Sequence, residues 1–331
     1  MTAGTLGSAG RRRLLVIHNP VAGRRRRKRF QATLDLLERD GAALSLRATE
    51  APGDAIRLAR RIEPGEADLV VAAGGDGTIN EVINGLVAGG LAMGGRPASL
   101  PLAIVPLGTS NVLAAEIGLD ASPEAVARAI RDGVTARVSL GRIRGAKVPD
   151  GRAFILMAGA GVDAHAVADV DPGLKRRFAQ GAYVLAGLRA VLRSRGLRYE
   201  VEVDGVRHQA ASVIVAKAAH YGGPFIVARE ARLDAPRFQV CLFARGGLWA
   251  VGLYGVALAL GRLDRAPGFT SVPGETVRIA SADSKAGQPV EPVQCDGDDM
   301  ARLPVEIAVV PDALSLVVPP DGPYGEGPYG R

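Results

Sequence analysis

The segment 69–81 constrains this chain more than any other. An unbroken apolar run, Leu69-Val70-Val71-Ala72-Ala73, leads into Gly74-Gly75-Asp76-Gly77-Thr78. Beyond the glycines, Ile79, Val82, Ile83, Leu86 and Val87 recur at i, i+3, i+4, i+7 and i+8, the spacing of one helical face. A buried strand, a glycine turn and a helix N-terminus are therefore predicted in succession. Thr78 and Glu81 form a Thr-x-x-Glu pattern, which predicts a capping box starting the helix at that threonine. Free amides and the positive end of the helix dipole make such a junction a seat for a phosphate chain. Glycine lets backbone approach phosphate oxygens closely, and Asp76 is held there as a base or magnesium partner.

Strand and helix patterns alternate around this junction. Leu14–Ile17, Ser45–Ala48 and Leu102–Val105 read as strands, with helices over Arg29–Arg39 and Asp54–Ile62. Ser122-Pro123-Glu124 starts a further helix, with serine as cap and proline at its first position, and Gly133 ends it. Apolar strands alternating with helices predict a parallel sheet covered on both faces. After about Leu140 the rhythm changes. Tyr199–Val203 alternates by twos into Asp204-Gly205, a hairpin signal, and Ser212–Ala216, Phe238–Phe243, Thr276–Ala280 and Val305–Val310 add strands. A helix over Lys175–Arg195 and an apolar stretch at 248–260 interrupt them. The expected fold is α/β in two domains. The first is a doubly wound parallel-sheet nucleotide-binding domain over 11–138. The second is an antiparallel β-sandwich substrate domain over 139–311, with a segment near 312–320 open to rejoining the first. Residues 1–10 and the repetitive 321–331 read as disordered tails.

A net charge of +7, mostly arginine, points to an anionic partner: a nucleotide, a phospholipid surface or nucleic acid. An aromatic content of 4% argues against base stacking, so nucleic acid is not expected. Cys241 and Cys295 make neither a disulfide framework nor a metal cluster, and a reducing cytoplasm is the expected compartment. Arg11-Arg12-Arg13 precedes only four apolar residues, too few for a signal peptide. The 248–260 stretch, with Gly252 and Gly255, falls short of the roughly 20 residues a membrane span needs. His165, His208 and His220 lack metal-ligand spacing. Arg24–Arg29 crowds cations at a helix N-terminus, which suits either a bound anion or a solvated charge run. Arg176, Arg189 and Arg193 beside Leu185, Leu188 and Leu192 suit either anionic lipid or a core-facing helix.

Two more turns follow strands of the first domain: His18-Asn19-Pro20-Val21-Ala22-Gly23 and Pro106-Leu107-Gly108-Thr109-Ser110-Asn111. In a parallel sheet the carboxyl ends of strands share an edge where ligands collect, so three such turns can surround one nucleotide. Any one of them alone reads as an ordinary tight connection.

Together these residues resemble the lipid kinases of the diacylglycerol kinase and sphingosine kinase type. The resemblance rests on Asn19-Pro20-x-Ala22-Gly23, on Thr49 with Gly53-Asp54-Ala55, and on Gly74-Gly75-Asp76-Gly77-Thr78-x-Asn80-Glu81-Val82-x-Asn84-Gly85. It continues through Pro106-x-Gly108-Thr109-x-Asn111, Lys175-Arg176, Gly181-Ala182-Tyr183, Tyr221-Gly222-Gly223 and Asp296-Gly297-Asp298. The resemblance implies ATP at Asn19, Pro20, Val21, Ala22, Gly23, Thr49, Gly75, Asp76, Gly77, Thr78, Ile79, Asn80, Glu81 and Thr109, with Mg2+ as cofactor. It implies transfer of the γ-phosphoryl group to a lipid hydroxyl lying between the domains. Diacylglycerol is the first expectation, and a sphingoid base or phosphatidylglycerol the next. It also implies Asp298 as the general base, one methylene shorter than the glutamate of the bacterial motif, with Asp76 as the alternative. Three departures stand out. Val112 replaces an aspartate. Ala235-Pro236 replaces an Asp-Gly pair that supports a structural magnesium, leaving Asp234 as the nearby carboxylate. Lys217 replaces an asparagine, to contact phosphate or be solvated. The rival readings are an NAD-kinase-like nucleotide kinase and a nucleotide or lipid sensor on a kinase scaffold. A cytoplasmic protein in peripheral contact with anionic membrane is expected, and a homodimer is compatible with the sequence.

Overall fold

The computed structural model describes residues 4–5, 12–20, 26–92, 100–168, 198–282 and 291–325. It divides into two compact units, residues 1–140, 222–224 and 311–331 forming one, and 141–221 with 225–310 the other.

The first unit contains β1 (Gly4–Thr5), β2 (Arg13–His18), α1 (Arg27–Arg39), β3 (Ala43–Ala48), α2 (Asp54–Arg60), β4 (Leu69–Gly74), α3 (Asp76–Ala92), β5 (Leu102–Pro106), α4 (Val112–Glu116) and α5 (Pro123–Asp132). Strands β3, β2, β4 and β5 lie side by side in that order, all parallel. The end of the long strand Val305–Val318 adds to β5, also parallel, with Leu316 opposite Leu102. Strands β4 and β5 are buried along their whole length, as their continuous apolar runs require of a sheet covered on both faces. Helix α5 starts at the predicted cap: the Ser122 hydroxyl accepts from the Ala125 amide, Pro123 holds the first position, and Gly133 ends it.

Three expectations about this unit are corrected. Helix α3 begins at Asp76 and contains Thr78 and Glu81, so no capping box forms. Residues 1–10 are not wholly a tail, because Gly4 and Thr5 pair with Thr135 and Val134. Nor does the tail begin at 321. Tyr324 is buried, and its hydroxyl donates to Glu116 at 2.6 Å. An aromatic ring with a satisfied hydroxyl is reason enough for this stretch to fold back.

The second unit takes in the end of β6 (Val134–Gly145), then β7 (Val148–Phe154), β8 (Met157–Ala160), α6 (Val162–Ala168), β9 (Tyr199–Val203), β10 (Val206–Ala210), β11 (Ser212–Ala216), β12 (His220–Tyr221), β13 (Phe225–Ile226), β14 (Phe238–Phe243), α7 (Leu248–Ala259), β15 (Phe269–Gly274), β16 (Thr276–Ser281), β17 (Pro292–Cys295), β18 (Asp298–Arg302) and the start of β19 (Val305–Val318). One sheet runs β10-β9-β16-β19 and the other β15-β14-β11-β8-β17-β18, every pair antiparallel. Their inner faces make one core, with Tyr199, Val201, Ile279 and Ile307 from one sheet and Val213, Val215, Phe238 and Val240 from the other. The β9–β10 hairpin turns at Asp204 and Gly205 with φ of 47° and 84°, as the Asp-Gly pair predicts. The helix expected over Lys175–Arg195 lies outside the described residues. Among the described residues, no helix is long and apolar enough to cross a membrane.

Candidate functional site

The register of the parallel sheet gathers the glycine turns at one edge. His18 lies opposite Ala48 on one side and Ala73 on the other, and Gly74 lies opposite Pro106. Strands β2, β3, β4 and β5 therefore end level, and the turns beginning at Asn19, Thr49, Gly75 and Leu107 leave from a common rim. Backbone bonds stitch that rim together: Thr49 N–H to His18 O at 2.9 Å, Asn19 N–H to Ala73 O at 3.1 Å, Leu107 N–H to Gly74 O at 2.8 Å. The chain goes from β2 outward to β3 and then crosses back to β4 on the other side, so the order reverses between β2 and β4. Open α/β sheets bind ligands at such a reversal. Of the first turn, Asn19 and Pro20 are described; Val21, Ala22 and Gly23 lie outside the described residues.

Two turns meet at Gly75 and Gly108. A Cβ on Gly108 would stand 2.6 Å from the Gly75 Cα and 2.7 Å from Asn111 Oδ1, so only glycine allows this approach. Beside it, both oxygens of Asp76 accept backbone amides of α4, Oδ2 from Val112 at 3.0 Å and Oδ1 from Leu113 at 3.2 Å. Asp76 is half-buried. The loss of solvent raises its carboxyl above the usual aspartate range, and those amides oppose the rise without cancelling it. Asn111 adopts a left-handed backbone with φ of 47°. Its Nδ2 donates to the Gly108 carbonyl at 3.2 Å, while its buried Oδ1 has no hydrogen-bond partner among the described residues. Helix α1, which follows the first turn, has neither a side-chain cap nor an acid in its first turn. Its leading amides therefore lack those partners for an anion to replace.

Glu81 does something the sequence did not suggest. Its carboxylate accepts from Gly53 N at 2.9 Å and Ala55 N at 3.2 Å, the amides that open α2. The arginine run is likewise engaged: Arg26 Nη1 donates to the Leu107 carbonyl at 2.9 Å and Arg29 to that of Ala121. Neither is a merely solvated charge.

The second unit holds Asp298. The β17–β18 hairpin turns on Asp296 and Gly297, with φ of 49° and 86°. Asp296 is buried, and its carboxylate accepts three amides of the 155–157 segment: Ile155 at 2.9 Å, Leu156 at 2.9 Å and Met157 at 3.0 Å. The Gln294 side chain accepts from Gly297 N at 2.9 Å through Oε1 and donates to Asp163 Oδ2 at 2.5 Å through Nε2. The Tyr221 hydroxyl donates to the other Asp163 oxygen. Next to this chain, His165 Nε2 meets Glu291 Oε2 at 2.6 Å. Asp298 is the first residue of β18 and is exposed to solvent. The turn that carries it is anchored at both Asp296 and Gly297. Asp163, Tyr221 and Gln294 were missed in the sequence, apart from the Tyr-Gly-Gly motif that marks Tyr221.

The structure also places Asp234 and corrects one expectation, for Lys217. Asp234 is paired with Arg232, Oδ1 to Nε at 2.9 Å and Oδ2 to Nη2 at 2.8 Å. Among the described residues, no group of three or more His, Cys, Asp or Glu stands together to hold a metal. The Asp234 carboxylate is thus already engaged by a cation of its own chain. Lys217 is fully buried and donates to the Arg232 carbonyl, so it is not solvated.

Comparison with known proteins bears on both units. Residues 13–143 match the diacylglycerol kinase catalytic domain, and residues 157–318 match the YegS C-terminal NAD kinase beta sandwich-like domain. A protein of Bacillus subtilis named diacylglycerol kinase is 32% identical over 241 residues, 72% of this chain and 75% of its own. One of Staphylococcus epidermidis with the same name is 25% identical over 314 residues, 94% of this chain and 93% of its own. The crystal structure of a diacylglycerol kinase from Bacillus anthracis shares the fold, with a TM-score of 0.71 at 18% identity over 95% of this chain and 99% of that one.

Proposed function

The chain belongs to the diacylglycerol kinase family, and from that premise we propose that it moves the γ-phosphoryl group of ATP onto the hydroxyl of a membrane lipid, diacylglycerol giving phosphatidic acid. What carries the reading is the rim at the β2/β4 reversal, where Gly75 and Gly108 touch backbone to backbone beside the start of α3. Phosphates approach such a surface without meeting a Cβ, and the helix dipole favours their charge. Asn19, Thr49, Gly75 and Thr109 are the contacts proposed for the nucleotide. The orphaned Asn111 Oδ1 accepts a hydroxyl or amino donor from it. Asp76 braces α3 against α4 and so keeps the rim in shape. Magnesium, when bound with the nucleotide, neutralises charge on the phosphates.

Little covalent work then falls to the protein. Asp298 accepts the proton of the lipid hydroxyl as its oxygen bonds to the γ-phosphorus. The bond from that phosphorus to the bridging oxygen breaks, and ADP leaves. Supplying the protein with labelled ATP, magnesium and either dispersed lipids or NAD tests this. Label should enter the organic phase, and label on NAD would sink the lipid reading. Asp298→Asn should keep the fold and the ATP affinity while kcat falls by about 10²–10⁴, the usual worth of a general base. Wild-type turnover in that variant would remove Asp298 from the chemistry.

A further inference from the structure

Helix α7 (Leu248–Ala259) turns its apolar residues outward. Trp249 is 93% exposed, Leu260 just beyond the helix 66%, Val256 60%, Leu248 46% and Leu253 44%, while Tyr254 is the helix residue that is buried. Positions 249, 253, 256 and 260 follow one another by four, three and four residues, so they form a single stripe. Gly252 and Gly255 are exposed as well, and a Cβ on either would meet nothing within 4 Å. No charged or polar side chain interrupts Leu248–Leu260 apart from the Tyr254 hydroxyl. That hydroxyl donates to the Pro267 carbonyl at 3.3 Å, and its ring packs edge-on against Phe243 at 5.0 Å, holding the helix to the sandwich. A water-facing helix of this composition lacks the usual polar face, and exposed apolar patches of this kind mark interaction surfaces.

Charge says what it meets. Arg245 precedes the helix, Arg262 and Arg265 follow it, and Arg229 donates to the Gly261 carbonyl at its end at 2.6 Å; all four are exposed. Within 244–266, Asp264 is the single acid. A dozen helical residues span about 18 Å, too short to cross the roughly 30 Å hydrocarbon layer but suited to lying in its interface. Tryptophan and flanking arginines are the residues favoured at that depth.

We infer that α7 is a membrane-docking element, laying Trp249, Leu253, Val256 and Leu260 into the acyl boundary of an anionic bilayer while the arginines engage lipid headgroups. The inference rests on the lipid-kinase reading for its choice of a bilayer over other partners. It places lipid contact elsewhere than the helix over Lys175–Arg195, whose pattern suited either anionic lipid or a core-facing helix.

The chain has one tryptophan, so its emission reports on this helix alone. Full-length protein is mixed with phosphatidylcholine vesicles containing phosphatidylglycerol. Trp249 emission should shift to the blue and be quenched by brominated acyl chains, less so at high salt. The double variant Leu253→Ser, Val256→Ser should bind these vesicles about 10- to 100-fold more weakly, as two lost aliphatic contacts imply. It should keep the wild-type melting temperature and wild-type turnover of a dispersed short-chain diacylglycerol. Absent vesicle binding, vesicle binding with unmoved Trp249 emission, or undiminished binding by the double variant would each overturn the inference. So would emission already blue in a dimer that the double variant dissociates, since a second copy would then cover the face. Failure of the wild type to phosphorylate the short-chain lipid would count against the kinase reading instead, and leaves the docking result standing.

Discussion

Burial raises the Asp163 carboxyl above its ordinary 3.8, while hydrogen bonds from Tyr221 and Gln294 pull it down, and burial prevails. The same enclosure, with the Asp163 charge second, drives the Tyr221 hydroxyl well up, so that it stays a proton donor. A folded-state value raised above the unfolded one contributes stability that is complete below the unfolded value and disappears as pH rises through the folded one. Asp163→Asn carries no titrating group there. The margin by which wild type exceeds this variant in urea melts should therefore narrow as pH rises above the ordinary aspartate value of 3.8. A margin that widens as pH rises would mean the carboxylate is held charged, and the assignment of burial as the dominant cause would be wrong. Asp163 reaches Gly297 through Gln294, so the same side chain bears on how firmly the turn before Asp298 is held.

Among the elements, the glycine-rich junction and the Asp204-Gly205 hairpin were legible because each is specified by its own few residues. Glu81 was not. Its carboxylate serves amides 26 and 28 positions earlier, and no local pattern announces such a partner. Its Thr-x-x-Glu spacing is a true motif spent inside α3 rather than at its start. Removing the carboxylate by Glu81→Ala should cost about 1 kcal/mol of stability, the usual worth of a helix cap, with ATP affinity changed less than about twofold. Urea melts and calorimetric titration measure the two quantities. A tenfold loss of affinity at constant stability would instead return Glu81 to the phosphate site. The exposure of helix α7 was not legible either, since it depends on which side of the apolar run packs on the sandwich through Tyr254. Lys217 likewise reads as a surface cation until the backbone carbonyl it serves is known.

For the molecule as a whole, the sequence disclosed two fold classes along one chain, since periods of 3.6 and 2 differ regardless of tertiary context. It did not disclose the hydrogen-bond chain from Tyr221 to Gly297, whose members come from β12, α6 and β17. The proposed division of labour makes ATP a ligand of the first unit. Hydrogen exchange should accordingly slow with ATP at residues 19, 75–79 and 107–113. Amides of β11 and β14 in the sandwich should exchange as they do without nucleotide. Protection gained mainly in the sandwich would move the nucleotide site.

The parallel pairing of Leu316 with Leu102 has a consequence for biosynthesis. The ribosome makes β2 to β5 early, yet the strand that covers the free side of β5 emerges roughly 200 residues later, about 10–40 s at ordinary elongation rates. Through that interval β5 is a nascent sheet edge, open to chaperones or to a neighbouring nascent chain. The sandwich, whose strands are all translated between, has the opportunity to form first. The nucleotide-binding half, although it leaves the ribosome earlier, is then the last to close.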